Sequence, residues 1–141
     1  MFLSEIVKIV KVQDHTAAGT SAVTSDVVDT AGYQGCLFIT SFGTAAAGNI
    51  LKAQSGTNAT VTDAADLLGT SVVSGTSDED VWIDVQAPAE RYLRVVSARG
   101  TSSTLESIWA ILYGPNVAPV ANLLSGTIIG EAHLAPAEGT A

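Results

Sequence analysis

The sequence predicts an all-β protein: an antiparallel β-sandwich of jelly-roll type, about eight strands, followed by an extended C-terminal arm. Three observations predict it. Short runs rich in Val, Ile, Thr and aromatic residues recur at roughly 8- to 16-residue intervals, punctuated by Gly, Ser, Asn and Asp, which is the pattern of strands joined by turns. One run, "VWIDVQ" at residues 81–86, alternates Val81, Ile83 and Val85 with Trp82, Asp84 and Gln86, the period of two of a half-buried strand. A single segment, "TDAADLLG", has the signals of a helix, which disfavours a βαβ fold.

The elements follow in chain order. "EIVKIVKV" at residues 5–12 is the first strand, and the polar run at residues 14–20 reads as a loop. Strands are expected at residues 22–29, 36–42 and 49–55, separated by the turn-formers Ala31-Gly32 and Ala47-Gly48-Asn49. A helix of a turn or two is expected in "TDAADLLG", capped by Thr62 or Asp63 and ended by Gly69. Strands at residues 70–74 and 81–86 come next. Residues 91–98 put Leu93 and Val95 on one face and Tyr92 and Arg94 on the other, before the turn at Gly100-Thr101. The last strand, residues 107–113, is apolar on both sides: Ile108, Ala110 and Leu112 on one, Trp109, Ile111 and Tyr113 on the other. Such a strand is buried twice, either centrally under the arm or at a subunit interface.

At 141 residues the chain has the length of one domain with a single core. The sandwich is assigned to residues 1–113 and the arm to 114–141. The arm contains Pro115, Pro119 and Pro136 among many Ala and Gly, with apolar patches at Leu123-Leu124 and Ile128-Ile129. It is too short of apolar residues for a core of its own and too apolar at those patches for a plain linker, so it is expected to finish folding against a neighbour.

Asp and Glu outnumber Lys and Arg by 14 to 6, a net charge of −8, which argues against nucleic acid as a partner. Cys36 is the only cysteine, so the fold stands without an internal disulfide, as suits a reducing compartment. Glu5, Lys8 and Lys11 interrupt the N-terminal apolar run, and no stretch reaches the 18 or so uncharged apolar residues of a membrane span. A soluble, unexported chain with no membrane partner is expected.

Signals for chemistry are sparse. The two histidines, His15 and His133, fall in a loop and in the arm, and no Gly-x-Ser-x-Gly elbow accompanies them. Cys36 lies in the apolar run "GCLFIT" and reads as a small buried hydrophobe. No zinc spacing and no phosphate-cradling loop is present. The acidic turn of Asp78, Glu79 and Asp80, with Asp84 beyond, lacks the regular spacing of a calcium loop and reads as solvated. "NAT" at residues 58–60 matches a glycosylation acceptor by chance. No enzymatic activity, cofactor or metal is expected. Three of the six basic residues sit in "AERYLRVVSARG" at residues 89–100; given the acidic excess, Arg91 and Arg94 are expected to meet carboxylates of this chain or a neighbour, not a ligand.

The order "AGYQGCLFITSFGT", "GNILKAQSGTNATVTDAADLLGTSV", "ERYLRVVSARG" and "IWAILYGP" resembles a family of small proteins encoded among the head genes of tailed double-stranded DNA bacteriophages, over residues 22–116. Members with a known role are jelly-roll decoration, or cement, proteins that sit as trimers on the capsid exterior and clamp neighbouring capsomers. The resemblance implies a virion protein made in the host cytoplasm and placed on the outer capsid surface. Its implied partners are its own copies, as a homotrimer, and the phage major capsid protein; it carries over no catalytic residue, and the arm matches no shared motif. The expected interface comprises Trp109, Ile111, Tyr113, Leu123, Leu124, Ile128, Ile129, Arg91 and Arg94. The alternative is a carbohydrate-binding β-sandwich on a virion that attaches to the host surface, for which exposed Trp82 beside Asp84 is the candidate pair.

Overall fold

A computed structural model describes residues 1–122, 124, 126–135 and 137–140. After a 3-10 turn at Leu3–Glu5, twelve strands follow: β1 (Val7–Gln13), β2 (Thr16–Gly19), β3 (Val23–Thr24), β4 (Val28–Asp29), β5 (Gly35–Phe42), β6 (Ile50–Gly56), β7 (Ala65–Asp66), β8 (Val72–Val73), β9 (Glu79–Gln86), β10 (Tyr92–Ala98), β11 (Ser103–Leu105) and β12 (Ile108–Tyr113). All pairings are antiparallel.

Four pairs of these strands are halves of one interrupted strand, because each pair runs in continuous order along the same partner. β3 and β4 both pair with β10, β7 and β8 both with β6, and β11 and β12 both with β5, while β1 and β2 lie along β12 and β11. Merged, they give eight strands in two sheets. One sheet has the order first, eighth, third, sixth (β1/β2, β11/β12, β5, β9); the other has second, seventh, fourth, fifth (β3/β4, β10, β6, β7/β8). That interleaving is the jelly roll, two Greek keys folded into a sandwich.

Hydroxyl side chains bridge the interruptions. Between β3 and β4 the Val95 amide donates to Ser25 Oγ at 3.0 Å, and the Ser25 amide returns a bond to Val95 O at 2.9 Å. Between β7 and β8 the Ala53 amide donates to Thr70 Oγ1 at 3.1 Å. In each case a Ser or Thr oxygen stands where a ladder carbonyl is missing, so the buried N–H stays satisfied.

The core lies between the sheets. Cys36, Phe38, Phe42, Ile108, Ala110 and Leu112 of the first sheet meet Leu51, Ala53, Leu93 and Val95 of the second, all buried. The alternation read from the sequence holds: Val81 and Ile83 are buried and Trp82 and Asp84 exposed. Each fully buried Phe, Leu or Ile contributes about 1.5–3 kcal/mol of transfer free energy.

Two expectations fail. Residues 16–19 form β2 along β11, not a loop, because a strand at that sheet edge needs few apolar groups once its partner is buried. "TDAADLLG" is not helical: Ala65–Asp66 pairs with Gln54 and Ser55, and the Asp63 carboxylate accepts from the Thr57 amide and hydroxyl instead of capping a helix. Gly69 does sit at positive φ, +79°, but closes a turn. The tertiary pairing with β6 outweighs a weak local helical preference.

Candidate functional site

Three surfaces collect the residues singled out above. On the outer face of the β10 sheet, Arg91 makes a bidentate pair with Asp29, two bonds of 2.7 Å, with the guanidinium 5.1 Å from the Tyr92 ring centroid. This pairing is the carboxylate contact expected of Arg91. Arg94 departs from it. Its Nε donates to Gln54 Oε1 at 2.8 Å, and Gln54 passes the contact on, its amide donating to Asp66 Oδ1 while Lys52 Nζ donates to Asp66 Oδ2, each at 2.7 Å. Cross-strand register decides this: Gln54, not an acid, lies opposite Arg94, and Asp66 stands one strand further on.

The third arginine of the cluster went unremarked in the sequence. Arg99 is only 9% exposed, and its Nε donates to Ser21 O while Nη1 donates to Ala17 O and Ser103 O, all at 2.8 Å. It ties three chain segments at one end of the sandwich. Beside it, Asn49 Nδ2 donates to Thr44 O at 2.6 Å and Asn49 Oδ1 accepts from the Gly100 amide at 3.0 Å. A Cβ on Gly100 would come within 2.5 Å of Gly48 Cα, so glycine is required where these loops cross.

The second surface is the outer face of the β5 sheet. Rows of side chains run across it: Trp82, Ile39, Trp109 and Lys11 in one, Asp84, Leu37, Ile111 and Ile9 in the next, Gln86, Gly35, Tyr113 and Val7 in a third. Trp109, Ile111 and Tyr113 lie on this face and are half-buried, as β12 is the central strand between β1 and β5. Tyr113 reaches across Gly35, where a side chain would collide with its ring, and donates to Asp84 Oδ1 at 2.7 Å. Desolvation, then that carboxylate, pushes the phenol up to about 12. Trp82 is 61% exposed on β9, the edge strand.

The third surface belongs to the arm. The Asn116 amide donates to Gly32 O at 2.8 Å and the Val120 amide to Glu5 O at 2.7 Å. Asn122 then clasps the free edge of β1: its Oδ1 accepts from the Ile9 amide at 2.7 Å, and its Nδ2 donates to Ser4 O and Val7 O at 2.6 and 3.1 Å. One side-chain amide thereby takes the place of a neighbouring strand. The arm thus begins by seating on its own domain, where the composition suggested a neighbour, because β1 offers unpaired edge groups close at hand. Beyond the clasp, Leu124, Ile128 and Ile129 border a hollow of about 410 Å³ over Ile9 and Trp109. Leu123 lies outside the described residues.

Burial, and to a lesser degree the charge of Asp84, pushes the Cys36 thiol up to about 12, far from thiolate chemistry at neutral pH. His15 Nδ1 lies 3.4 Å from Glu106 Oε2, and His133 Nε2 lies 2.8 Å from Glu131 Oε2. In the acidic turn the Glu79 carboxylate accepts from the Gly75 and Thr76 amides at 2.8 and 3.1 Å. No group of three or more His, Cys, Asp or Glu is placed to hold a metal among the described residues.

Four carboxylates sit below the usual range, each for a visible cause: Asp29 from the Arg91 guanidinium, Asp63 from Thr57, Asp66 from Lys52 and Gln54, Glu79 from the amides of Thr76 and Gly75. A depressed folded-state pKa stabilises the protein above the unfolded value and that contribution is lost as pH falls through the folded one. The Tm is therefore expected to fall as pH drops below about 4. Thermal melts taken from neutrality downward check this, and a Tm that rises across that window would contradict it.

No protein-family model matches the chain, and no curated protein matches it. It is similar to a chain in a solved structure of infectious bursal disease virus, Gx strain, with 16% identity and a TM-score of 0.41 over 80% of this chain. The match covers 33% of that chain, so this protein spans about a third of its length.

Proposed function

We propose that the chain is a structural virion protein: a decoration, or cement, protein that binds the outer surface of a phage capsid as a homotrimer and stabilises the lattice. Its partners are then its own copies and the phage major capsid protein, and it works without catalysis, cofactor, nucleic acid or membrane. The observation that carries the reading is where the apolar surface lies. It is spread over the N-terminal segment, a sheet face and the arm, as docking to other protein surfaces requires, while Arg91 and Lys52 are paired with Asp29 and Asp66 and Cys36 is buried. The phage-head resemblance of residues 22–116 points the same way. Weak contacts suffice for such a role, since copies on many lattice points act together.

Trp82 keeps a second reading in play, a carbohydrate-binding module for host attachment. Its ring is open to solvent on the same face as Asp84, but Asp84 already accepts from Tyr113, so one of its two oxygens is engaged. Two assays separate the readings: co-sedimentation of the purified chain with expanded capsids, and a glycan array. Saturable capsid binding that survives Trp82→Ala is expected. A glycan signal abolished by Trp82→Ala, with no capsid binding, would replace the first reading by the second.

A further inference from the structure

Charge and exposed apolar surface are segregated along this chain. Of the twelve most exposed large apolar side chains among the described residues, five fall in residues 1–9 and four in residues 117–134. Residues 1–13 and 117–134 together hold Glu5, Glu131, Lys8 and Lys11, two acids and two bases. That leaves twelve acids against four bases elsewhere, so the whole −8 lies outside these two segments. Val120 and Asn122 bind the segments to each other through Glu5, Ser4, Val7 and Ile9. The result is one neutral, apolar surface on a strongly acidic protein.

Two such chains repel through most of their surfaces, and the neutral patch is where that repulsion is least. The patch also contains both halves of a contact. The hollow over Ile9 and Trp109 is left unfilled by the chain's own arm: Leu124 and Ile129 border it yet are 62% and 89% exposed. Leu134, further along, projects at 87% exposure and is not part of the hollow's lining. A hollow and a projecting group at different places on one chain make a heterologous contact, the kind that closes into a ring when the rotation fits.

We infer that the hollow between the arm and the β1/β12 face receives the Leu134 segment of a second copy of this chain. Asn122, and Lys11 Nζ through Thr127 O at 3.4 Å, hold the arm along the body as far as the hollow, and Leu134 stands exposed beyond it. The inference rests on the self-assembly part of the proposed function and names its contact.

The test uses full-length chains bearing one cysteine each, Ile9→Cys and Leu134→Cys, mixed and oxidised; the native Cys36 is fully buried and does not compete. A covalent dimer formed in the mixture, and in neither variant alone, is expected. Leu134→Asp is expected to weaken self-association at least about tenfold in sedimentation, with an unchanged Tm because the side chain is exposed in the single chain. Oligomers without the cross-link, a wild type that stays monomeric at every concentration, or a Leu134→Asp variant that assembles normally would each overturn it. Capsid co-sedimentation is scored separately: a chain that cross-links but ignores capsids keeps the inference and loses the decoration reading, and the reverse result does the opposite.

Discussion

Replacing Arg99 with Ala is expected to lower the Tm by roughly 10–20 °C. The side chain is buried and donates to three backbone carbonyls, those of Ala17, Ser21 and Ser103. Truncation leaves those carbonyls without this donor in a buried to part-buried site, and opens a void beside Gly19, on which a Cβ would come within 3.0 Å of Arg99 Nη2. Stranding buried polar partners in this way costs about 3–5 kcal/mol. At this chain length each kcal/mol moves the Tm by about 3–4 °C. Arg99→Lys is expected to recover only part of the loss, since a single ammonium cannot reproduce the planar fork that reaches Ser21 on one side and Ala17 and Ser103 on the other. By contrast Arg94→Ala forfeits one bond to a neutral amide, about 1 kcal/mol, and Arg91→Ala an exposed ion pair with little effect on folding. Calorimetry of the three alanine variants ranks them directly. An Arg99→Ala protein melting within about 2 °C of wild type would mean that solvent or a neighbouring donor reaches those carbonyls.

The second large effect divides the arm in two. A chain ending at Gly114 loses six hydrogen bonds to the body among the described residues: one from Asn116, one from Val120, three through Asn122 and one from Lys11 Nζ to Thr127 O at 3.4 Å. At about 0.5–1 kcal/mol each, that is a loss of about 3–6 kcal/mol, together with exposure of the β1 edge. It is expected to melt well below wild type and to aggregate more readily. A chain ending at Asn122 keeps the five through Asn116, Val120 and Asn122, losing the 3.4 Å Lys11–Thr127 contact, and is expected to melt near the wild-type Tm while occupying capsids poorly, because the groups bordering the hollow are gone. Melting curves and particle occupancy of the two truncations settle the division. Normal decoration by the chain ending at Asn122 would remove the distal arm from the interface, and an unfolded one would place that part of the arm in the domain's own core.

Most of the sandwich was legible because period-two alternation survives in single strands. Leu93, Val95, Ile108, Ala110 and Leu112 all face inward as their spacing requires. The same count, carried on from Leu93 through Ser97, puts Arg99 on the inward side; the signal was in the sequence, but charge argued for exposure and masked it. β2 and β7 could not be read. "TAAG" and "AD" carry no strand preference, and they pair only because β11 and β6 present an edge to them. Asn122 gave no local signal either, since its partners lie more than a hundred residues away in sequence, at Ser4, Val7 and Ile9. The interface candidates divide similarly: Trp109, Ile111 and Tyr113 share a face by alternation, whereas the meeting of Trp109 with Ile128 and Ile129 around one hollow depends on the path of the arm.

The measurement that bears most directly on a capsid-stabilising role is the heat resistance of expanded capsids with and without the purified protein. Decorated particles are expected to retain their shells at temperatures that disrupt bare ones, with the gain tracking occupancy and disappearing for the chain ending at Asn122. Bound protein at full occupancy with no change in the disruption temperature would contradict the role.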